Sequence, residues 1–124
     1  KDSDVHVLLY LENDLVAYLN LIEIEFKINA NNCFGYGIGN VCALEQGRGW
    51  GKEIMKCTNR FLIDNGKVGL LFCKESLINF YQICEWKEIN PKYIKLPIKY
   101  NNVISMIYNY PYEFNSVEFM GKLF

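Results

Sequence analysis

A glycine-rich turn between residues 46 and 52 is the segment of this sequence best suited to chemistry. Its sequence is Gln46-Gly47-Arg48-Gly49-Trp50-Gly51-Lys52. It follows an apolar run that ends at Leu44, and it precedes a run with helical spacing. The first turn of a helix has backbone N–H groups without internal partners and a positive dipole end, and glycines let the main chain close around a phosphate. We therefore predict a pyrophosphate-binding turn, with Arg48 and Lys52 adding positive charge at its rim.

The spacing of the glycines separates this turn from two common phosphate-binding motifs. The sequence contains no GxGxxG between a first strand and helix with an acidic residue about 20 positions later, and no GxxxxGK[ST]. Rossmann-type and P-loop sites are therefore excluded. The remaining pattern is Gln46-x-x-Gly49-x-Gly51.

This pattern is similar to the Q/R-x-x-G-x-G/A signature of the GNAT superfamily of acetyl-CoA-dependent N-acetyltransferases. A second segment, Phe80-Tyr81-Gln82-Ile83-Cys84-Glu85-Trp86, resembles the F-Y-x-x-x-G-F/W element of the same family. The similarity covers roughly residues 5–89, and its specific motifs lie within 41–52 and 80–86. It implies a mixed α/β fold, with a splayed mixed β-sheet flanked by helices. In that fold the strand carrying Val41 separates from the next strand, and the pantetheine arm of acetyl-CoA pairs with the exposed backbone.

The resemblance also implies roles for individual residues. The amides from Gln46 through Lys52 would hold the pyrophosphate of acetyl-CoA, and the implied cofactor-binding residues are Val41, Gln46, Gly47, Arg48, Gly49, Trp50, Gly51 and Lys52. Tyr81 would stand near the thioester sulfur and donate a proton to the leaving thiolate, a role typically worth about 10²- to 10⁴-fold in rate. Its alternative is simple packing, because Tyr81 lies on an apolar helical stripe. A main-chain amide near Val41 or Cys42 is expected to bind the carbonyl oxygen.

The pattern along the chain predicts the order β-β-β-α-β-α for the elements that carry these motifs. Residues 5–11 and 15–28 form a hairpin, and residues 33–44 form a third strand whose Gly35, Gly37 and Gly39 leave one face bare, so that another group is expected to approach it. A helix with its stripe on Trp50, Ile54, Cys57, Phe61 and Leu62 ends at Asn65-Gly66. Residues 69–73 form an apolar strand, Ser76 caps a second helix, residues 86–89 are compatible with another strand, and residues 103–110 form the final strand.

Three departures from the family pattern bear on function. Glu85 occupies the position of the family's glycine, which either strains the helix exit or indicates an end of different shape. The stretch 35–39 carries no carboxylate where many relatives have a general base, so Glu23 or Glu25 acting through water, or an acidic residue in a preceding segment, would have to replace it. The strand and helices that usually precede the hairpin, and that form one wall of the acceptor site, are absent from this sequence.

Composition limits the possible classes of protein. The 124 residues suit one acetyltransferase domain spanning 1–124, and a net charge of −1 gives no basic excess for nucleic acid. No run reaches the roughly 20 apolar residues of a membrane span, and no signal sequence is apparent, so we expect a cytoplasmic protein. Five scattered cysteines are expected to be reduced and buried, with Cys42 and Cys73 acting as small apolar residues, and no metal site is predicted. The single histidine, His6, is expected to be a surface residue.

These observations predict an N-acetyltransferase that transfers acetyl from acetyl-CoA directly to a primary amine, on a small molecule or a peptide, within a ternary complex. Two alternatives remain open. The tail from Tyr93 to Phe124 is weakly similar to the aminoglycoside 2′-N-acetyltransferases, and an enzyme of that type would need a markedly acidic acceptor pocket. The missing base and the replaced glycine favour instead a noncatalytic acyl-CoA-binding module. A homodimer is compatible with the sequence, because the C-terminal strand could pair across a two-fold axis.

Overall fold

The fold is that of a computed structural model, which describes residues 4–44, 48–100 and 102–124. Its strands are β1 (Val5–Leu11), β2 (Asp14–Ile28), β3 (Asn31–Ala43), β4 (Val68–Cys73), β5 (Lys87–Glu88), β6 (Ile94–Lys95), β7 (Ile104–Tyr108) and β8 (Val117–Glu118). Its helices are α1 (Trp50–Asp64) and α2 (Ile78–Ile83), the latter preceded by a 3₁₀ turn over Glu75–Leu77. The predicted order β-β-β-α-β-α is confirmed.

All eight strands belong to one mixed sheet. The order across it is β5-β7-β4-β3-β2-β8-β6, and β1 pairs with the first half of β2. The β1–β2, β2–β3 and β4–β7 pairs are antiparallel, whereas β3 and β4 run parallel with α1 as their crossover. The prediction that residues 103–110 form the final strand is wrong, because β8 follows and pairs with the end of β2. A two-residue strand is too short to show an alternating pattern in the sequence.

The sheet has an apolar core on each face. On the helical face, Leu19 and Leu21 of β2 pack with α1, α2 and Trp86. On the opposite face, Phe26 of β2 packs with the C-terminal tail, including Phe124. The alternation of β2 between the two faces places both cores on one sheet, as expected for strands buried on both sides.

The bare glycine face of β3 is covered by the chain's own tail. A Cβ atom at Gly37 would overlap the ring of Phe124, and one at Gly39 would lie 3.0 Å from Oδ1 of Asn20. The expectation that another group approaches this backbone is therefore met by Phe124. This aromatic ring, together with Phe72, forms a wall on the face opposite the helices.

Strand β3 separates from β4 halfway along its length. The two strands pair only from Gly35 with Val68 to Gly37 with Leu70, although β3 continues to Ala43. From Ile38 onward, the edge of β3 that faces β4 has no strand partner in the described part of the chain. This is the splay that the sequence resemblance implies.

A β-bulge lies on the open half of β3. Tyr18 pairs with Cys42, and Asn20 pairs with Gly39, so that one extra residue of β3 is inserted between the two pairs. Asn40 accommodates the bulge with φ +53°, and its Nδ2 donates a hydrogen bond to Oδ1 of Asn20 at 3.3 Å. A bulge of this kind bends the strand and turns its backbone groups away from the regular ladder. It therefore re-aims the backbone next to Val41.

Helix α1 packs on the sheet through a face that the sequence pattern predicts correctly at Trp50, Ile54, Phe61 and Leu62 but not at Cys57. Its buried residues are Ile54, Met55, Thr58, Asn59 and Leu62, whereas Cys57 of the predicted stripe is exposed. Two polar residues can be buried because their hydrogen bonds are satisfied inside the protein. Thr58, for example, donates from Oγ1 to the carbonyl oxygen of Ile54 at 2.8 Å.

Candidate functional site

A cleft of about 420 Å³ opens at the splay between β3 and β4. It is bounded by the end of β3, the first turn of α1 and one side of α2 with the turn before it. The lining residues are Val41, Ala43, Gly49, Gly51, Lys52, Leu77, Phe80 and Tyr81. The two segments that carry the sequence motifs, although thirty residues apart in the chain, therefore face each other across one cleft.

The first turn of α1 presents backbone N–H groups to this cleft. Gly49 precedes the helix with φ +82°, and within residues 4–44, 48–100 and 102–124 no side chain caps the helix start. The amide of Glu53 donates to the carbonyl of Gly49 at 3.1 Å and is the first to join the helical ladder. The amides of Trp50, Gly51 and Lys52 precede it and have no helical acceptor, as at every helix N-terminus. With Lys52 also lining the cleft, this end of the helix suits an anionic group.

Arg48 and Trp50, two further residues of the predicted turn, are not among the described residues that line the cleft. The Arg48 guanidinium carbon lies 5.3 Å from the centroid of the Trp50 ring, so its charge is held against the start of α1. Gln46 and Gly47 lie outside the described residues. Of the eight predicted cofactor-binding residues, four line the cleft, namely Val41, Gly49, Gly51 and Lys52.

Gly51 keeps the two helices close together at the cleft. A Cβ atom at this position would lie 3.2 Å from Cζ of Phe80 on α2. The Phe80 ring in turn packs edge-to-face on Tyr81, with 5.0 Å between the ring centroids. A larger residue at 51 would therefore displace Phe80 and disturb the ring next to it.

Tyr81 is a buried polar residue in the lining of the cleft. The residue is only 7% exposed, but it lines the cleft, and within the described residues its hydroxyl has no hydrogen-bond partner. Desolvation by burial, with smaller contributions from Cys73 and Cys84, raises the pKa of Tyr81 to about 12. The hydroxyl thus remains protonated throughout the physiological pH range and is available as a donor to a group in the cleft.

The end of α2 fixes the position of Tyr81. The amide of Trp86 donates to the carbonyl of Tyr81 at 3.0 Å, and the amide of Glu85 donates to that of Gln82 at 2.9 Å. These two bonds, with Glu85 at φ +74°, form a Schellman motif. Glu85 therefore adopts the left-handed conformation that glycine favours, and the helix exit has the shape expected for the glycine it replaces. Of the two explanations for this departure, the structure supports strain.

Replacing Glu85 with glycine is expected to stabilise the protein by about 0.5–1 kcal/mol. A side chain in the left-handed region is strained by roughly 1–2 kcal/mol, and part of this gain is lost to the greater freedom of glycine in the unfolded chain. Urea unfolding measures the change. Glu88→Gly is the matched control, because Glu88 lies in a strand, where glycine is expected to destabilise. A lower stability for Glu85→Gly would contradict the strain.

A buried asparagine connects the two helices behind Tyr81. The Nδ2 group of Asn59 on α1 donates to the carbonyl of Cys84 at 2.8 Å, and its Oδ1 accepts from the indole N–H of Trp86, also at 2.8 Å. The Trp86 ring is itself fully buried. Asn59 thereby satisfies a carbonyl at the end of α2 and holds this end against α1. Sequence reasoning missed it, since the segment Thr58-Asn59-Arg60 has the composition of a solvent-facing turn of helix.

Among the described residues, none of the cysteines or acidic residues considered from the sequence is placed to act as a nucleophile or general base in the cleft. Cys42 and Cys57 are exposed, which corrects the expectation that all five thiols are buried, and none of the five forms a disulfide. Burial raises the pKa of the Cys73 thiol, which disfavours the nucleophilic thiolate.

Glu23 pairs with Tyr36, five positions before Val41. At about 3.3 Å per residue it is roughly 16 Å from Val41, and Glu25 is farther still, so neither reaches the cleft beside Val41 through a single water.

The fold matches those of solved acetyltransferases. Escherichia coli ElaA shares 23% identity with this chain at a TM-score of 0.62, over 85% of this chain and 68% of ElaA. An acyl-CoA N-acyltransferase from Pseudomonas aeruginosa shares 17% identity at a TM-score of 0.59, over 85% of this chain and 68% of that protein. The GNAT family N-acetyltransferase YhbS from E. coli, solved in complex with CoA, shares 10% identity at a TM-score of 0.62, over 87% of this chain and 62% of that protein.

Similarity at these identities establishes the fold, and the chain has the GNAT fold. A scan against protein-family models and a search of curated proteins found no match. No helix in the described ranges is long and apolar enough to cross a membrane.

Proposed function

We propose that residues 1–124 form an N-acetyltransferase domain, located in the cytoplasm, that transfers acetyl from acetyl-CoA directly to a primary amine in a ternary complex. The observation that carries the proposal is the meeting of three features at one cleft. These are the unpaired edge of β3 beside Val41, the open N-terminus of α1 and the protonated hydroxyl of Tyr81. The first two provide separate sites for the pantetheine amides and the pyrophosphate, and the third serves the thioester.

The chemistry of the cleft fits CoA. A strand edge without a partner offers backbone donors and acceptors to the amide groups of a pantetheine arm, as in β-strand addition. The amides of Trp50, Gly51 and Lys52 offer donors to a pyrophosphate, supported by the helix dipole. The apolar side chains of Leu77 and Phe80 line the same cleft. Acetyl-CoA supplies an activated acyl group, and the residues of this chain bind it and place it.

Tyr81 and the attacking amine act from opposite faces of the sheet. Tyr81 lies on the helical face, where its hydroxyl donates a hydrogen bond to the sulfur as the C–S bond breaks. The amine approaches the carbonyl carbon from the opposite face and forms the C–N bond. A backbone amide of the bulged segment near Val41 or Cys42 supports the negative charge on the carbonyl oxygen. Because attack is direct, no covalent enzyme intermediate is needed.

Calorimetric titration with acetyl-CoA, with free CoA and NAD as comparisons, tests cofactor binding without knowledge of the amine. We expect saturable binding of acetyl-CoA and CoA and none of NAD. In Gly49→Val, a β-branched residue at φ +82° distorts the first turn of α1. Since a hydrogen bond to a charged group contributes about 1.5–3 kcal/mol, affinity should fall at least roughly 10-fold.

Gly66→Val is the matched control for this experiment. Gly66 follows the other end of α1 with φ +62°, and at both Gly66 and Gly49 an added Cβ atom would have no neighbour within 4 Å. Its replacement produces similar backbone strain at a distance from the cleft, so stability should fall while the affinity for acetyl-CoA is retained. Equal affinity in wild type and Gly49→Val would remove the helix N-terminus from the proposed site.

A noncatalytic acyl-CoA-binding module is the second candidate, and one observation favours it. Residues 35–39 of β3 carry no carboxylate, and the placement of Glu23 and Glu25 removes the two substitutes considered from the sequence. Turnover separates the candidates, because a binding module should bind acetyl-CoA without consuming it in the presence of amines.

An aminoglycoside-type acceptor receives less support. The acidic pocket that a polyamine needs is not apparent in the described clefts at this part of the sheet. Among the described residues, Lys52 is the only charged one that lines the splay cleft, and the charged ones that line the groove beside β7 are Lys95 and Lys99.

A further inference from the structure

Polar side chains form a row across the sheet on the face opposite the helices. His6 of β1 pairs with Asn20 of β2, and Asn20 pairs with Gly39 of β3. With about 4.8 Å between strands, the Cα atom of His6 is roughly 10 Å from that of Gly39. Asn20 bonds Asn40 at the bulge. The polar row therefore leads from His6 to the open half of β3.

His6 and Tyr18 form a bonded pair within this row. Nδ1 of His6 and the hydroxyl of Tyr18 are 2.8 Å apart, and the two rings stack with 5.9 Å between centroids and an interplanar angle of 22°. Tyr18 is also the cross-strand partner of Cys42, next to the bulge. The partly buried Val5, Val7 and Leu9 of β1 pack on the helical core, which places His6 on the other face.

The proposed acetyl transfer needs a proton acceptor on this face. An alkyl amine with a pKa near 10.4 is mostly protonated at neutral pH and attacks only after losing a proton. His6 is the single histidine of the chain, and imidazole is the side chain that ordinarily exchanges a proton near neutral pH. Tyr81 lies on the helical face and donates its hydrogen bond to the thioester sulfur, so it is not the acceptor of the amine proton.

We infer that His6 and Tyr18 form a proton relay that accepts the proton of the attacking amine at the bulge of β3, an inference that rests on the proposed acetyltransferase function. The ammonium group releases one proton through a water to the oxygen of Tyr18, while the hydroxyl proton of Tyr18 passes to Nδ1 of His6. The neutral amine then forms the C–N bond, and the C–S electron pair leaves on sulfur. The imidazolium, which is exposed, returns the proton to solvent.

The relay requires one tautomer of the His6 imidazole. Nδ1 must accept from Tyr18, so Nε2 carries the ring proton before the reaction. Among the described residues, Tyr18 contacts the imidazole, and the strand register places the titratable Cys42 and Asp4 on the same face. Asp4 precedes β1 and is partly buried. The pH dependence of kcat in the wild type is therefore compared with that of variants at His6 and Tyr18.

The test uses the full chain with acetyl-CoA and two probe amines. Tryptamine, an alkyl amine, must lose a proton before attack, whereas the arylamine p-anisidine is unprotonated at neutral pH. In His6→Asn, the side-chain amide still bonds Tyr18 but accepts no proton. We expect kcat with tryptamine to fall about 10²-fold at pH 7, and the acidic limb of its pH profile to disappear. With p-anisidine the change should be several-fold smaller, and the affinity for acetyl-CoA should be unchanged.

Two further variants separate a relay from a structural effect. Tyr18→Phe should lose activity as His6→Asn does, and the double variant should be no slower than either single variant, because the two residues act as one unit. Tyr10→Phe is the matched control, since it removes an exposed tyrosine hydroxyl from the same strand and should leave kcat unchanged.

The outcomes distinguish this inference from the function on which it rests. Acetyl transfer by the wild type with an unchanged rate and pH profile in His6→Asn overturns the relay and leaves the acetyltransferase in place. Equal losses with tryptamine and p-anisidine also overturn it, because a proton acceptor is dispensable for the arylamine. If the wild type neither binds acetyl-CoA nor acetylates either amine, the proposed function fails and the relay fails with it.

Discussion

Replacing Tyr81 with phenylalanine is expected to lower kcat about 10- to 150-fold while leaving the dissociation constant of acetyl-CoA unchanged. The substitution removes only the hydroxyl, so Phe80 and the apolar wall of the cleft stay in place. A hydrogen bond to a charged group contributes about 1.5–3 kcal/mol, which corresponds to this range of rates when the bond forms only in the transition state. Steady-state kinetics with tryptamine, paired with calorimetry, measure both quantities.

The size of the loss reports what the hydroxyl does. The pKa of Tyr81 is raised to about 12, whereas an ordinary thiol has a pKa near 8.5. Complete transfer of the proton from Tyr81 to the thiolate is then uphill by roughly 5 kcal/mol, at about 1.36 kcal/mol for each unit. Tyr81 should therefore stabilise the leaving thiolate by hydrogen bonding, and solvent should protonate it afterwards. A loss of 10³-fold or more would indicate full proton transfer instead.

The raised pKa also predicts the pH dependence. Because burial disfavours the phenolate, Tyr81 stays protonated below about pH 11 and contributes no alkaline limb to kcat between pH 6 and 10. An alkaline limb in this interval that is present in the wild type and absent from Tyr81→Phe would contradict the assignment. Tyr110→Phe is a suitable control, since Tyr110 packs against the opposite core and is not among the residues that line the cleft.

Sequence reasoning predicted the parts of the site that depend on local backbone geometry. Gly49 and Gly66 mark the two ends of α1 because both adopt positive φ, where a side chain is strained. The alternation along β2 was equally informative, since each of its faces enters a different core. Such signals extend over a few residues, and they are therefore visible in a single sequence.

Features that depend on distant contacts were not predictable in the same way. The stripe of α1 was wrong at Cys57, because Thr58 and Asn59 are buried through hydrogen bonds, one of which reaches Trp86, 27 residues later. Ser76 was expected to cap the second helix, but it lies inside a 3₁₀ turn and makes no capping bond. The ring that covers Gly37 belongs to Phe124, and no local pattern connects the two positions.

The hydrogen bond between His6 and Tyr18 is likewise a feature that a local sequence pattern does not reveal. The hairpin was predicted, yet its register was not, and the register decides which side chains meet. With one residue of slip, His6 would have faced the helical core. A lone histidine near the start of a sequence is more often a surface residue, and only its stacked and hydrogen-bonded neighbour on β2 connects it to the bulge of β3.

Replacing Asn59 with leucine is expected to destabilise the protein by about 2–5 kcal/mol, although leucine has a similar volume and is more apolar. The substitution leaves the indole N–H of Trp86 and the carbonyl of Cys84 buried without partners, and each such group costs about 1–3 kcal/mol. Asn59 is only 7% exposed, so water cannot replace both bonds without opening the helix interface. Urea unfolding should show a lower midpoint at an unchanged slope.

Asn65→Leu provides a matched control on the same helix. Asn65 also donates a side-chain hydrogen bond, from Nδ2 to the carbonyl of Phe61 at 2.8 Å, but this bond is exposed. Water can satisfy the freed carbonyl, so the loss should stay below about 1 kcal/mol. Similar losses in the two variants would show that burial does not determine the contribution of Asn59.

Asn59→Asp distinguishes the two halves of the network. The aspartate still accepts from the indole of Trp86, but its second oxygen faces the carbonyl of Cys84, where the amide donated. A buried carboxylate opposite a carbonyl should be at least as destabilising as leucine at pH 7 and less so at low pH, where the protonated acid can donate again. Stability that rises as pH falls from 7 to 5, relative to the wild type, would therefore establish that the donor to Cys84 holds the end of α2, and with it Tyr81, against α1.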